Sequence, residues 1–495
     1  MQTISKDDIL QRIRTENPWW QDSRKVSSVE KQRGYFNLFY PLVNDRSVRR
    51  AVVLMGPRRV GKTVMIHHAV QKLIEEGVSP QFLCYISVDN PVYTGLGLDK
   101  LLDYYGQASG VDYKTQPVYI FFDEIQYLRN WEVHLKSAVD TYEMPKFIVS
   151  GSAAAALRLK SNESGAGRFT DFLLPPLTFS EYLDLLRKTN LILARTDDAS
   201  SVGEVFKVED IEKANEEFIK YINFGGYPEV IFSKNIQDDP ARFIKSDIID
   251  KVLLRDLPSL YGVTDIQELN RLFTTLALNT ANEVSLEGLS QNSGVTKNTI
   301  KRYIEYLEAA FLIKRVYRID EHGKRFRREN YFKVYLTNPS MYAALFGVIG
   351  AEDKRMGHLV ETAVFSQTFH FPDTYHYARW SQGEVDMISL GTDGKPQGAV
   401  EVKWSDRECD NPSLLRQQRE FIKKNHLNKM LVTTRTRTER KEVDGIQISY
   451  IQACGYCFAV GRVLQAALNS RGPIERMIQD LNAVAAGNHE PIRAV

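Results

Sequence analysis

The sequence predicts an α/β chain: a parallel sheet with helices on both faces, then a helical middle, then a second α/β domain. Three observations carry this. Apolar strand patterns at 51–55, 82–88, 117–122 and 146–150 alternate with amphipathic helical patterns at 63–76, 97–108 and 131–142. Residues 246–320 are patterned as helix throughout. Mixed helix and strand patterns return between about 355 and 465. The expected domains are 1–180, the parallel-sheet domain; 181–245, a charged helical lid or linker with a loop rich in Asp, Ser and Gly at 196–208; 246–335, helical; 336–470, α/β; and 471–495, a helix and polar tail.

Composition bounds the rest. With 495 residues, 43% hydrophobic and 25% charged, the chain is long enough for several cores. A net charge of +2 excludes a globally basic nucleic-acid binder, so any basic surface is local. No run of about 18 apolar residues is present, so no membrane span or membrane partner is expected. Met1 to Asp8 lacks the apolar core of a signal peptide. Four cysteines in so long a chain point to a reducing compartment, and the expected location is cytoplasmic. Cys454 and Cys457 form a C-x-x-C without a second pair, read as packing in an apolar segment rather than as a zinc or redox site.

The first strand, Ala51 to Met55, breaks into Gly56-Pro57-Arg58-Arg59-Val60-Gly61-Lys62-Thr63, and a helical pattern opens at Val64. A β-branched strand running into a Gly-rich turn that closes on Lys-Thr is the setting of a phosphate-binding loop. Its backbone N–H groups and the following helix N-terminus form an anion cradle, so residues 56 to 64 are the expected ATP-binding segment. Lys62 is expected to reach the β- and γ-phosphates, and the Thr63 hydroxyl to hold Mg²⁺. Arg58 and Arg59 face either phosphate or a neighbouring molecule.

The strand Val118 to Phe122 ends in Asp123-Glu124. Carboxylates at the C-terminal end of a buried parallel strand sit where such sheets bind ligands. Asp123 is placed to hold Mg²⁺ and Glu124 to polarise the attacking water. The next strand ends in Ser150-Gly151-Ser152, and either serine can orient that water; spacing does not choose between them. Arg168 follows the flexible stretch 162–166 and is either a finger on a neighbouring subunit's phosphate or a solvated side chain.

From these motifs the chain resembles the ASCE-class, AAA+-like P-loop ATPases of prokaryotes that carry a DUF4143-type C-terminal region. The matching segments also include Asn17-Pro18-Trp19-Trp20, Phe122-Asp123-Glu124-Ile125-Gln126, Gly167-Arg168, Pro176-Leu177-Thr178-Phe179-Ser180-Glu181-Tyr182, Gly225-Gly226-Tyr227-Pro228 and Leu254-Arg255-Asp256. The early motifs are generic to ATPases; the Pro176 to Tyr182 and Gly225 to Pro228 segments are more specific.

Glu283 to Arg315 reads as a helix ending at Ser293-Gly294 and a second helix starting after a Thr296 cap. This resembles a winged helix. Lys297, Asn298, Lys301 and Arg302 lie on the would-be recognition helix, and Lys324, Arg325, Arg327 and Arg328 suit a wing that touches phosphates. The same fold also serves as a plain protein–protein module.

Asp386 and the pair Glu401 and Lys403 sit on two strands joined by the turn Gly391-Thr392-Asp393-Gly394, with Glu361 on a helix upstream. Asp386 and Glu401 can share a divalent cation that Glu361 completes, with Lys403 orienting or activating water. The arrangement resembles the PD-(D/E)xK nucleases and implies a restriction-endonuclease-like domain, either active or kept as a scaffold. The resemblances together imply an ATP- and Mg²⁺-dependent homo-oligomer, a hexameric ring acting on duplex or branched DNA in repair, recombination or defence. The alternatives are the same machine with an inactive nuclease fold, or a STAND-like signalling or remodelling ATPase.

Overall fold

The computed structural model describes residues 5–23, 26, 29, 31–152, 167–194, 206–263, 265–326, 330–368 and 375–469. The stretch 162–166, Arg327, Arg328, most of the 196–208 loop and the tail 471–495, all singled out above, lie outside the described residues. The chain divides into two compact units, Met1–Pro175 and Pro176–Val495.

The first unit comprises α1 (Lys6–Glu16), α2 (Phe36–Asn44), β1 (Ala51–Met55), α3 (Lys62–Glu75), β2 (Leu83–Ser87), α4 (Leu98–Ser109), β3 (Tyr119–Asp123), α5 (Trp131–Thr141), β4 (Lys146–Gly151) and β5 (Phe169–Leu173). The five strands pair parallel throughout in the order β2-β3-β4-β1-β5. A parallel sheet is covered on both faces and needs continuous apolar strands. Accordingly β3 and β4 are buried along their whole length, with Ile120, Phe122, Phe147 and Val149 in one core with Leu101 and Leu135 of the helices. The strand order puts β4 between β1 and β3, so the serines that end β4 lie between the Gly-rich loop and Asp123.

The edge strand β2 is closed by side chains. The Asn17 amide accepts from the Tyr85 N–H at 2.7 Å and donates to the Tyr85 carbonyl at 2.8 Å, as a paired strand would. The indoles of Trp19 and Trp20 both donate to the Leu83 carbonyl, at 3.1 and 2.9 Å. The Asn-Pro-Trp-Trp motif therefore protects an edge that would otherwise present free backbone groups. Asn17→Ala is expected to cost about 2 kcal/mol, because two buried backbone groups lose their partner; urea unfolding of this unit checks it.

In the second unit, α6 (Phe179–Leu185), β6 (Ile192–Ala194), β7 (Phe206–Val208), α7 (Ile211–Phe224), α8 (Pro228–Phe232), α9 (Lys234–Asp238) and α10 (Leu257–Tyr261) come first. They are followed by α11 (Ile266–Leu278), β8 (Glu283–Ser285), α12 (Leu286–Ser293), α13 (Lys297–Ala309), β9 (Ile313–Ile319) and β10 (Tyr331–Leu336). The remaining elements are α14 (Ser340–Phe346), α15 (Met356–Ser366), β11 (Tyr375–Trp380), β12 (Gly383–Leu390), β13 (Pro396–Glu401), α16 (Arg407–Asp410), α17 (Arg416–Lys424), β14 (Lys429–Thr434), β15 (Glu439–Val443), β16 (Ile446–Gln452) and α18 (Ala453–Asn469).

The expectation of unbroken helix over 246–320 fails at β8 and β9. In β9 the buried residues are Ile313, Val316 and Ile319, a spacing of three that reads as helical. The intervening Arg315 is held by Glu308 through its Nε at 2.8 Å, so a polar residue occupies a place that strict alternation would make apolar. Strands β8 to β16 form one nine-stranded sheet in the order β15-β16-β14-β13-β12-β11-β9-β10-β8. The join is β9 to β11, parallel, at Arg318–Tyr377 and Ile319–Ala378, so the sheet runs unbroken across the 335/336 position.

The segments Pro176 to Tyr182 and Gly225 to Pro228 pack together. Thr178 and Glu181 form a capping box at the start of α6. The Leu177 N–H donates to the Gly226 carbonyl, and the Tyr221 hydroxyl donates to the Leu177 carbonyl. Gln367 accepts from the Phe179 N–H and donates to the Tyr221 hydroxyl. A Cβ on Gly226 would come within 2.6 Å of the Asn338 side chain, so only glycine fits. All four cysteines are buried and free, and Cys454 and Cys457 lie in α18.

Candidate functional site

The Gly-rich loop joins β1 to α3. A side chain on Gly56 would meet the Leu174 carbonyl oxygen at 2.2 Å, so the loop can leave the sheet here only on glycine. Arg59 and Gly61 take positive φ, at 65° and 94°, which turns the chain into the first turn of α3. Pro57 precedes this bend, Val60 is fully buried beneath it, and Val64 lies in the first helical turn. Arg58 donates to the Tyr127 hydroxyl at 3.4 Å. The Lys62 ammonium is buried and donates to the carbonyls of Gly56 and Pro57, at 3.1 and 2.8 Å, so it lies folded over the loop that should hold phosphate.

Asp123 is nearly sealed at the end of β3 and collects four donors. The Thr63 hydroxyl reaches its Oδ2 at 2.6 Å, the Tyr85 hydroxyl reaches the same oxygen at 2.8 Å, the Glu124 N–H reaches Oδ1 at 3.1 Å, and the Ser150 hydroxyl bonds Oδ1. The structure thus brings Thr63, Asp123 and Ser150 together, with the Ser150 hydroxyl on the carboxylate. Burial and the Asp123 charge raise the Tyr85 phenol well above its ordinary range, so it stays a donor. His67 packs edge-on against Tyr85, ring centroids 5.0 Å apart, and burial lowers its pKa.

Glu124 has φ of 56°, a conformation that costs a non-glycine residue energy and is held where a site needs it. Its carboxylate is gripped by the Gln126 amide, whose oxygen accepts from the Ser152 N–H at 3.2 Å. Ser150 and Ser152 therefore separate in role: the Ser150 hydroxyl is spent on Asp123, and the Ser152 hydroxyl is buried without a partner among the described residues. Arg168 pairs with Asp140 at the N-terminal end of β5, the end of the sheet away from the Gly-rich loop. It does not reach the phosphate loop of its own chain. No role was expected for Tyr85, and Gln126 was singled out only as the end of the Phe122 to Gln126 motif, with no role assigned to it.

The carboxylates of the second unit also converge. Glu361 comes from α15, Asp386 from β12 and Glu401 from β13, which pairs antiparallel with β12. The Lys403 ammonium is 2.6 Å from Glu401 and 3.9 Å from Asp386. The Gln418 amide donates to Glu401 at 3.0 Å, and the Val402 N–H donates to Asp386 at 2.9 Å. Unanticipated, Lys333 of β10 enters the cluster, 2.8 Å from Glu361 and 3.2 Å from Asp386, and also pairs with Glu384. Among the described residues no group of three or more His, Cys, Asp or Glu is arranged to hold a metal ion.

Burial and the Asp386 charge push the Glu361 carboxyl up to about 7, and the same two causes raise Glu401. Burial opposes ionisation of Asp386 as well, but the adjacent Lys333 and Lys403 hold it below the usual range. A carboxyl raised from about 4.3 keeps its proton only in the folded state, so its stabilisation is complete below that value and lost as pH rises to about 7. The stability of the second unit is therefore expected to fall over that window, by up to about 3 kcal/mol from Glu361 alone. Glu361→Gln should flatten this slope in urea titrations at stepped pH.

The helix pair α12 and α13 forms as expected, with Gly294 at φ 73° between them and Thr296 capping α13 through the Thr299 N–H. Lys297, Asn298, Lys301 and Arg302 are exposed, while Ile300, Tyr303, Ile304 and Leu307 are buried. Lys324 and Arg325 are exposed in the turn between β9 and β10.

Residues 48–183, which span the Gly-rich loop, Asp123 and Glu124, match the family described as "AAA domain". These residues are similar to AAA-type P-loop domains. Residues 215–352 match a family described as "Domain of unknown function (DUF8612)". A protein of Haemophilus influenzae described as uncharacterized is 24% identical over 427 residues, covering 84% of this chain and 96% of the relative. One of Methanocaldococcus jannaschii, likewise described, is 24% identical over 354 residues, 68% of this chain and 72% of the relative. The chain also superposes on the Aeropyrum pernix ORC1 protein solved in complex with DNA, with a TM-score of 0.30 and 13% identity, over 66% of this chain and 95% of that one. No described helix is long and apolar enough to cross a membrane.

Proposed function

We propose that the protein binds and hydrolyses ATP with Mg²⁺ in its AAA-type domain and uses that cycle to act on DNA through its second unit. The observation that carries the ATPase reading is the junction of Thr63, Asp123 and Ser150 beneath the Gly-rich loop, with Glu124 held beside it. Thr63 and Asp123 are the hard oxygen ligands that a nucleotide-bound Mg²⁺ takes, and Lys62 is the cation for the phosphates. Mg²⁺ bound there neutralises charge on the phosphates; Glu124 is the base that orients water, and Gln126 and Ser152 hold its geometry.

The DNA reading is supported by the order helix, strand, helix, helix, strand, strand from α11 to β10, which is the winged-helix order, and by the exposed polar and basic face of α13. The restriction-endonuclease-like reading is supported by Asp386 and Glu401 on paired strands, Lys403 two residues past the end of β13 rather than on it, and Glu361 on a flanking helix. The DUF4143-type reading of this region rests on its sequence motifs. The ring of six subunits, with Arg168 facing the next subunit's nucleotide, fits an arginine placed away from its own phosphate loop.

ATP turnover is measured with no DNA and with duplex, single-stranded or branched DNA. Stimulation by one form, lost when Lys301 and Arg302 are both changed to Ala, supports the reading. Turnover indifferent to every form moves the protein to nucleotide-gated signalling or remodelling.

A further inference from the structure

The carboxylate cluster of the second unit carries a feature that its motifs do not announce. A divalent ion in a site of this kind takes about six oxygen ligands at about 2.1 Å. Here at least one oxygen of each carboxylate already accepts hydrogen bonds. Glu361 Oε1 accepts from Lys333 at 2.8 Å and from the Tyr335 hydroxyl at 2.7 Å. Asp386 Oδ1 accepts from Lys333 at 3.2 Å, and its Oδ2 from the Val402 N–H. Glu401 Oε1 accepts from Lys403 and Gln418. Only Glu401 Oε2 is buried without a partner.

An ammonium has three N–H donors, and Lys333 faces three carboxylates: Glu361, Asp386 and Glu384. Its side chain is 3% exposed and β10 is paired on both sides, with β9 and with β8. The ammonium is therefore held inside the cluster by a strand fixed in the sheet interior. A metal ion on the same Glu361 oxygen would lie within about 5 Å of this ammonium, with charges of the same sign in a buried site.

We propose that Lys333 is a built-in cation that stands in the metal position of this cluster, so that the cluster binds no divalent ion and cleaves no DNA. The residues expected to hold a metal, Glu361, Asp386 and Glu401, are instead cross-linked by Lys333 and Lys403 into a rigid junction of α15, β10, β12 and β13. The proposal is independent of whether DNA changes ATP turnover.

The test uses the full chain without nucleotide and measures bound Mn²⁺ by electron paramagnetic resonance. Wild type and Asp386→Asn are expected to bind the same number of Mn²⁺ ions, since any ion at the P-loop is common to both. Lys333→Met is expected to gain one equivalent, which adding Asp386→Asn removes. Extra Mn²⁺ in wild type relative to Asp386→Asn overturns the proposal, as does Mn²⁺-dependent nicking of plasmid DNA by wild type that Asp386→Asn abolishes. A folded Lys333→Met chain with no added Mn²⁺ also overturns it. If that variant does not fold, the comparison of wild type with Asp386→Asn decides alone.

Discussion

Glu124→Gln is expected to bind ATP as wild type does and to turn it over about 10²- to 10⁴-fold more slowly, the usual range for loss of a general base. The change is nearly isosteric. Asp123, which gathers Thr63, Tyr85 and Ser150, is untouched, so the groups that hold nucleotide and Mg²⁺ stay in place. What is lost is a carboxylate set at φ 56° beyond the strand end and held there by Gln126. Gln126→Ala should give a smaller loss in turnover with unchanged binding, because the base survives and only its orientation loosens. Binding of a fluorescent ATP analogue and phosphate release, read on the same preparations, separate the two effects. Normal hydrolysis by Glu124→Gln would remove the assignment.

Lys62→Ala is expected to abolish ATP binding at millimolar nucleotide, and turnover with it. The lysine is the only cation of the Gly-rich loop that is buried in the described structure, and its ammonium now rests on the Gly56 and Pro57 carbonyls. Phosphate must draw it off those carbonyls and replace them as its partner. In Lys62→Ala both the phosphate contact and the two loop bonds disappear, so the unit is also expected to lose about 1–3 kcal/mol of stability without any nucleotide present. Calorimetric titration with ATP and thermal unfolding of the nucleotide-free chain check the two halves. Lys62→Arg should restore part of the stability and little of the binding, since a planar guanidinium does not match an ammonium's point charge.

The parts of this molecule that could be read from sequence are those whose cause is local. Ala51 to Thr63 declares itself because strand, Gly-rich turn and helix cap are contiguous, and Gly294 and Thr296 announce the turn into α13 in the same way. The turn Gly391 to Gly394 predicts that β12 and β13 pair, and with it the meeting of Asp386 and Glu401. Long-range events were hidden. Lys333 lies 28 residues from Glu361 and 53 from Asp386, in a strand whose other inner positions are apolar or Tyr. A single lysine inside Tyr331 to Leu336 was the available sign, and it reads equally well as an exposed position. Tyr85 was hidden likewise, because it meets Asp123 only through the neighbouring of β2 and β3. The spacing of Ile313, Val316 and Ile319 pointed actively the wrong way, toward helix.

The junction of β9 with β11 decides how the second unit can be taken apart. Among the described residues two pairs, Arg318–Tyr377 and Ile319–Ala378, join the halves of the nine-stranded sheet. A chain shortened at 335/336 would leave β9 and β11 as raw sheet margins, and the carboxylates would lose Lys333 at the same stroke. Fragments made to isolate the helix pair α12–α13 from the acidic cluster should therefore aggregate, through the exposed margins that folded sheets ordinarily shield. The smallest soluble piece carrying either feature is expected to carry both.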